Sequence, residues 1–261
     1  MALLKPAALG FCLACCLSAQ ATAPLRLAAE EWPPFASPSL PEHGLSPAMM
    51  QPVFAKLGRE AVVDYFPWKR AMELGLHDAR YAGFLPVWRT PEREKLCHFS
   101  VPLGNTLTVL AYLKDTPIEV RDMAELENYR IGTVAGYANG ERFDALVRQH
   151  RIAVEEGVND ETNLRKLLIR RFPAIVIERR VLQRLLASKH FTDADRARIA
   201  VNDDLFRERP VHICFKRTPE GLALQRAFNE AARGVDMQKL ERDYLRRIGN
   251  EAESALPGIV D

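Results

Sequence analysis

Apolar and polar positions divide the chain into short apolar runs separated by amphipathic stretches. Leu25–Ala29, Ala61–Phe66 and Tyr81–Val87 are apolar or β-branched and end at turn formers, which predicts three strands. Within Ser46–Leu57 the residues Met49, Met50, Val53, Phe54 and Leu57 share one helical face. Ser46 is expected as the cap, Pro47 in the first turn and Gly58 as the stop. A short helix is expected over Trp68–Leu74, closed by Gly75.

The same alternation continues through the chain. Thr106–Lys114 reads as one long strand, Val120–Glu127 as helical and Tyr129–Val134 as a strand. Asn139–His150 and Asp160–Arg171 are expected helices, and Ala174–Ile177 is a very apolar strand. Arg179–Ser188 and Asp193–Arg198 read as helical and Val211–Phe215 as a strand. Two amphipathic helices follow, Pro219–Arg233 and Met237–Arg247, capped by Thr218 and Asp236, and residues 249–261 read as a tail. Strands alternating with helices predict an α/β class with mainly parallel sheets.

Met1–Ala23 departs from this pattern. A single charge, Lys5, precedes the apolar run Ala7–Ala19, and small residues follow in Ala19-Gln20-Ala21. That order is a secretory signal peptide over residues 1–21, with cleavage expected after Ala21; the alternative is a buried N-terminal helix. The run is shorter than the roughly 20 residues a spanning helix needs. No second long apolar run follows, so the mature protein is expected to be soluble and exported. Cys12, Cys15 and Cys16 lack the neighbours of a lipid-attachment site.

Of 261 residues, 48% are hydrophobic, too many for intrinsic disorder. The 36 Lys and Arg against 34 Asp and Glu leave a net charge of +2, which gives no electrostatic case for nucleic acid or an anionic membrane. Three of the five cysteines fall in the expected signal peptide, leaving Cys97 and Cys214. They form either one long-range disulfide or two buried thiols.

The six histidines, His43, His77, His98, His150, His190 and His212, show no H-x-x-x-H spacing, and the C-x-x-C spacing of Cys12 and Cys15 falls in the expected signal peptide, so no metal is expected. No nucleophile elbow or Walker loop appears, and no cofactor is expected. Gly132, Gly136 and Gly140 do not match the dinucleotide fingerprint. They make either a turn whose amides face an anion or a plain strand-to-helix turn.

Three segments stand out in composition: Glu30-Glu31-Trp32-Pro33-Pro34-Phe35, Tyr65-Phe66-Pro67-Trp68-Lys69-Arg70, and Phe84 through Arg93. Each follows or closes one of the first three expected strands. In open α/β sheets ligands bind beyond the carboxyl ends of strands, so these Trp and Arg residues are expected to converge on one rim. Taken singly, each aromatic would more often serve core packing.

Thr90-Pro91-Glu92-Arg93 through Phe99-Ser100-Val101-Pro102 resembles the T-x-x-R…F-S-x-P signature of the extracellular solute-binding proteins of family 3. These are the periplasmic amino-acid-binding type, whose fold is shared by glutamate-receptor ligand cores. Glu31-Trp32-Pro33-Pro34-Phe35 with Gly44, Met123–Leu126 and Ile131-Gly132-Thr133-Val134 are similar to further parts of the pattern, over roughly residues 25–248. The resemblance implies a two-lobed type II periplasmic-binding fold. Lobe 1 would take residues 22–110 and 208–248 and lobe 2 residues 111–207, with crossings near Val109–Tyr112 and Arg209–Phe215.

It also implies residue roles. Arg93 would clamp a ligand carboxylate bidentately, and Glu178, closing the strand Ala174–Ile177, would take an ammonium. Residue-level alternatives are that Glu178 pairs with Arg179 or Arg180 and that Asn139 is a helix cap. Trp32, Trp68, Pro86 and Trp88 would line one side and Tyr137, Ala138 and Asn139 the other. Trp88 and Ala138 stand where such proteins usually carry hydroxyl residues, which implies a smaller or more aromatic pocket. The resemblance thus implies a monomeric periplasmic protein that takes an amino acid or a relative between two lobes. It would serve an inner-membrane ABC permease or a sensor. The alternative on the same scaffold is a dehydratase of the cyclohexadienyl type, with Glu178 as its acid.

Overall fold

The computed structural model describes residues 23–252; the expected signal peptide over residues 1–21 lies outside the described residues. Two sheets form the molecule. The first contains β1 (Leu25–Ala29), β2 (Ala61–Tyr65), β3 (Gly83–Trp88), β4 (Cys97–Phe99), the two-residue β5 (Asn105–Thr106) and β11 (Arg209–Lys216). Its order is β2-β1-β3-β11-β4, with β5 also on β11. The second contains β6 (Thr108–Leu113), β7 (Arg130–Val134), β8 (Ala153–Gly157), β9 (Ala174–Glu178) and β10 (Ile199–Asn202), in the order β10-β6-β9-β7-β8.

The parallel pairs that the alternation predicts are β1–β2, β1–β3, β7–β8 and β7–β9. The strands next to the crossings, β6 and β11, pair antiparallel with their neighbours, so both sheets are mixed. Leu27, Ala28 and Ala29 of β1 and Ile175 of β9 are fully buried because helices cover both faces, which accounts for their unbroken apolar runs. On the first sheet, α1 (Leu45–Lys56) and α8 (Pro219–Ala232) meet where Phe54 packs on Phe228 at 4.9 Å, and Phe228 on Phe215 at 5.8 Å. Thr218 caps α8 by accepting from the Gly221 amide, and Asp236 accepts from the Lys239 amide at the start of α9 (Met237–Ala252), as expected. The last helix therefore runs beyond Arg247.

Several local expectations are corrected. Ser46 is no cap: Gly44 precedes α1, and the buried Ser46 hydroxyl donates to the Leu103 carbonyl at 2.8 Å. Gly75 does not end α2 (Trp68–His77); it lies inside it, where an added Cβ would stand 2.6 Å from the Phe84 Cβ. Asn139 does not cap α4 (Glu141–Arg148), since Gly140 takes that place. Strands β4, β8 and β10 have no counterpart in the expected pattern. They are short, and β8 is an edge strand whose Ala153 and Glu156 are exposed, so its sequence lacks apolar alternation.

Cys97 and Cys214 form a disulfide between the neighbouring strands β4 and β11.

The expected single strand over Thr106–Lys114 is two strands in different sheets. Thr106 pairs with Arg209 in the first sheet, and Thr108, two residues on, pairs with Glu178 in the second. Leu107 between them is held at both backbone groups: its amide donates to Glu178 Oε1 at 3.1 Å, and its carbonyl accepts from the Arg179 amide at 2.8 Å. The return crossing runs from β10 into β11.

Candidate functional site between the two sheets

The three Trp-bearing segments meet where the two halves face each other. Trp32 follows β1, Trp68 opens α2 and Trp88 ends β3; all three are buried. Trp32 and Trp88 stand edge to face with ring centroids 5.3 Å apart. Tyr137, from the loop between β7 and α4 of the second half, enters among them, 6.3 Å from Trp32, 5.8 Å from Trp68 and 5.9 Å from Trp88. The space left beside these rings, Pro86 and Glu30 is a cavity of about 20 Å³, room for little more than one water. The tryptophans are thus both packed and convergent.

Polar contacts cross the same interface. Trp32 Nε1 donates to Asp160 Oδ2 at 3.0 Å, and the Tyr137 hydroxyl donates to Glu30 Oε2 at 2.6 Å. Trp68 Nε1 and Arg93 Nη2 both donate to the Gly136 carbonyl, at 3.0 and 3.1 Å. Gly136 has φ of +82°, a conformation other residues adopt only with strain, and this turn presents its carbonyl to both donors. Trp88 Nε1 instead stays with the crossing, donating to Thr106 Oγ1 at 2.8 Å.

Arg93 lies in α3 (Pro91–Glu94), whose cap Thr90 accepts from the Arg93 amide. The residue is 9% exposed, and its guanidinium donates from Nη1 to the Trp88 carbonyl at 3.0 Å and stands 5.4 Å from the Trp68 ring. Burial lowers its pKa to about 10, so it stays charged at neutral pH.

Glu178 sits in a different arrangement from the one the resemblance implies. It is 2% exposed and ends β9, but Oε1 accepts from the Leu107 amide at 3.1 Å and Oε2 from the Val181 amide at 2.9 Å. Its carboxylate caps α6 (Arg179–Ala187) and holds the crossing. Neither surface pairing is realised: Arg179 pairs with Asp203, and Arg180 Nη1 donates to the Asn105 carbonyl at 3.2 Å. Burial raises the Glu178 pKa to about 7, against the Val181, Leu107 and Arg180 amides and the charge of Arg180, which favour its ionised form.

Ala138 and Asn139 are buried beside Tyr137. The Asn139 and Gly140 amides donate to the Asp144 carboxylate at 3.1 and 3.3 Å, so the anion at this turn is the chain's own. The Ala138 carbonyl accepts from Arg209 Nη2 at 3.1 Å.

Three residues outside the expected set belong to the site. Glu30 is buried, and desolvation followed by repulsion from Asp160 outweighs the Tyr137 hydrogen bond, raising its pKa to about 8. Asp160, at the start of α5 (Asp160–Leu168), is raised by burial to about 7 against hydrogen bonds from Trp32 and Tyr137. Arg209 opens β11, stacks 4.4 Å from the Trp88 ring and is lowered to about 10 by burial. Glu30 adjoins the Glu31-Trp32 segment, Asp160 has the ordinary pattern of a helix start, and Arg209 lies in a segment expected only as a crossing. Among the described residues, no group of three or more His, Cys, Asp or Glu side chains is placed to hold a metal ion. No helix among them is long and apolar enough to cross a membrane.

Comparison with known proteins defines the class of fold. The chain is similar to an ancestral arginine-binding protein bound to arginine, with a TM-score of 0.70 and 15% identity over 87% of this chain and 98% of that one. It is similar to the GluR0 ligand-binding core from Nostoc punctiforme in complex with L-glutamate, with a TM-score of 0.67 and 19% identity over 86% and 98%. A third likeness is to the ancestral amino-acid-binding protein AncCDT-1, a precursor of cyclohexadienyl dehydratase, with a TM-score of 0.66 and 15% identity over 85% and 94%. No protein-family model matches the sequence, and no curated protein matches it. The fold is the two-lobed type II periplasmic-binding architecture, with two sheets flanked by helices.

Proposed function

We propose that the protein is an exported, monomeric solute-binding protein of family 3 that captures a small carboxylate-bearing ligand, an amino acid or a relative, between its lobes. Lobe 1 would take residues 22–110 and 208–248 and lobe 2 residues 111–207, except that Thr108–Leu110 pair in the second sheet and go with lobe 2. The ligand would be passed to an inner-membrane ABC permease or reported to a sensor. The observation that carries this reading is Arg93: a buried cation aimed between the lobes, whose acceptors are the Trp88 and Gly136 carbonyls and not a carboxylate. A buried guanidinium gains most from a bidentate carboxylate, and a carbonyl of the opposite lobe holds that place in the closed form. Opening the lobes frees Nη2 for a ligand, and closure over it is a hinge motion of the kind two crossings allow.

The enzymatic alternative is less well supported, because the acid assigned to it, Glu178, has both oxygens on backbone amides. A thermal-shift screen of the mature protein over amino acids, organic acids, small peptides and polyamines tests the binding reading. A ligand at 100 times its dissociation constant adds about 2.7 kcal/mol. Stabilisation by carboxylate-bearing compounds is expected, and a screen without any stabilisation overturns the reading. Turnover of prephenate-like or arogenate-like substrates would replace it with the dehydratase.

A further inference from the structure

Arg93 does not stand alone at the cleft. Arg209, from the start of β11, carries a second guanidinium that also reaches the second half. Arg93 Nη1 is anchored on the Trp88 carbonyl of its own half at 3.0 Å, whereas Arg209 lies with its plane on the Trp88 ring and Nη2 donates at 3.2 Å to Thr108 Oγ1 of β6, beside the crossing. Each also sends Nη2 to a carbonyl of one short segment of the opposite half, Arg93 to Gly136 and Arg209 to Ala138. Among the described residues neither guanidinium has a carboxylate within hydrogen-bond distance. We propose that Arg209 is a second anion-reading residue paired with Arg93, and that the ligand is a small molecule bearing two carboxylates. This rests on the solute-binding reading above.

Three observations favour a dianion over a ligand with a cationic head. First, the aromatic faces that would hold a cation already carry the protein's own: Arg93 over Trp68 at 5.4 Å and Arg209 over Trp88 at 4.4 Å. Second, the acids of the cleft do not neutralise the arginines. Glu30, raised to about 8, is mostly protonated at neutral pH, and Asp160, raised to about 7, is about half so. Asp144 is the one acid that attracts both guanidiniums through space, and its carboxylate is held by the Asn139 and Gly140 amides. Glu92 also attracts Arg93 but is exposed. Among the described residues Asp144 is the only partly buried acid drawing on the two partly desolvated cations, which leaves the cleft with positive charge to satisfy.

Third, the spacing fits. Gly136 and Ala138 are two residues apart, so the carbonyls that stand in for ligand oxygens are separated by at most roughly 7 Å. That is the reach of a four- or five-carbon dicarboxylate. When the lobes part, both Nη2 groups lose their carbonyls together, and two carboxylates on one short skeleton can replace them.

Isothermal titration of the mature protein with matched pairs tests this: L-glutamate against L-glutamine, L-aspartate against L-asparagine, and succinate and glutarate against their monoamides. The expected result is that at least one diacid binds tenfold or more tightly than its monoamide. In Arg209→Gln that ratio falls to within about threefold. Arg209→Lys, which keeps the charge but not the fork, restores part of the preference. Circular dichroism and melting of both variants confirm that they fold. If Arg209→Gln does not fold, the diacid-to-monoamide ratio of the wild type decides by itself. Equal affinity for diacids and monoamides, or a preference that survives in a folded Arg209→Gln, overturns the proposal and leaves monocarboxylate capture by Arg93 standing. No binding of any probe, together with a blank thermal-shift screen, overturns both.

Discussion

The Tyr137 hydroxyl donates to Glu30 across the cleft at 2.6 Å, joining residues 107 apart in the chain. The reciprocal contact lies beside it, where Trp32 of the first half donates to Asp160 of the second. Each half thus supplies one buried acid and one aromatic donor, and the two halves are joined here by a crossed pair of hydrogen bonds. Burial disfavours the charged form of both acids, so folding and protonation are linked.

That linkage has a definite sign. Glu30 moves from 4.5 to about 8 and Asp160 from 3.8 to about 7, so the folded state binds more protons than the unfolded one between about pH 4 and pH 8. Stability contributed by these groups therefore falls as pH rises through that window, by at most about 1.4 kcal/mol per pH unit and group, and levels off above it. Glu178 adds to the trend, and the depressed pKa values of His98 and His212 oppose it. The clean measurement is a difference: the melting temperature of a Glu30→Gln, Asp160→Asn double variant should gain on the wild type from pH 5 to pH 8. Parallel melting profiles would show that the two acids do not couple folding to pH.

Glu178→Gln should act on stability before it acts on binding. Glutamine offers one acceptor where the Leu107 and Val181 amides now have two. Loss of a helix cap costs about 0.5–2 kcal/mol, which in a protein of this size lowers the melting temperature by roughly 2–8 °C. Affinities for a zwitterion and for the matching simple carboxylate should then change by the same factor. A selective loss of the zwitterion would instead return Glu178 to an ammonium contact.

How much of this was legible in the sequence depends on what each residue must satisfy. The helices α8 and α9 begin at their expected caps, and β1 spans its expected residues, because local hydrogen bonding and apolar runs decide both. The convergence of Trp32, Trp68 and Trp88 also follows from their places at strand ends. The break at Leu107 was not legible: Thr106–Lys114 is uniformly strand-forming, and the switch between sheets is imposed by tertiary contacts from Glu178 and Arg179. Nor was the use of Glu178, since an acid closing an apolar strand can face a ligand or turn back onto its own helix. Arg209 and Asp160 carry the residue types of any surface helix or strand, and only the fold shows that they are buried at the cleft.

The disulfide links strands that are neighbours in space but 117 residues apart in the chain. Closing a loop of that order restricts the unfolded chain by about 4.7 kcal/mol in the entropic account. Reduction should lower the melting temperature by on the order of 10 °C. Thiol alkylation followed by mass measurement confirms that both cysteines were released. An unchanged melting temperature with both thiols free would show that the paired strands β4 and β11 hold the sheet without the covalent link.

Arg93 separates the roles of charge and geometry in ligand capture. Arg93→Ala removes the guanidinium from between the two halves, and with it one donor to the Trp88 carbonyl and one of two side-chain donors to the Gly136 carbonyl. The Gly136 carbonyl keeps Trp68 as a donor, and the Thr90 cap uses only the Arg93 backbone, so the fold should survive. Loss of one partner of a buried, hydrogen-bonded charge pair costs 2–5 kcal/mol, so affinity for carboxylate ligands should fall by roughly 30-fold or more. Arg93→Lys keeps the charge but offers a point donor in place of a planar fork, and should recover only part of that loss. Titration of a single carboxylate ligand into the wild type and both variants gives the order wild type, Lys, Ala. Equal affinity in wild type and a folded Arg93→Ala would remove Arg93 from the site, and equal affinity in wild type and Arg93→Lys would mean that charge alone, without bidentate geometry, holds the carboxylate.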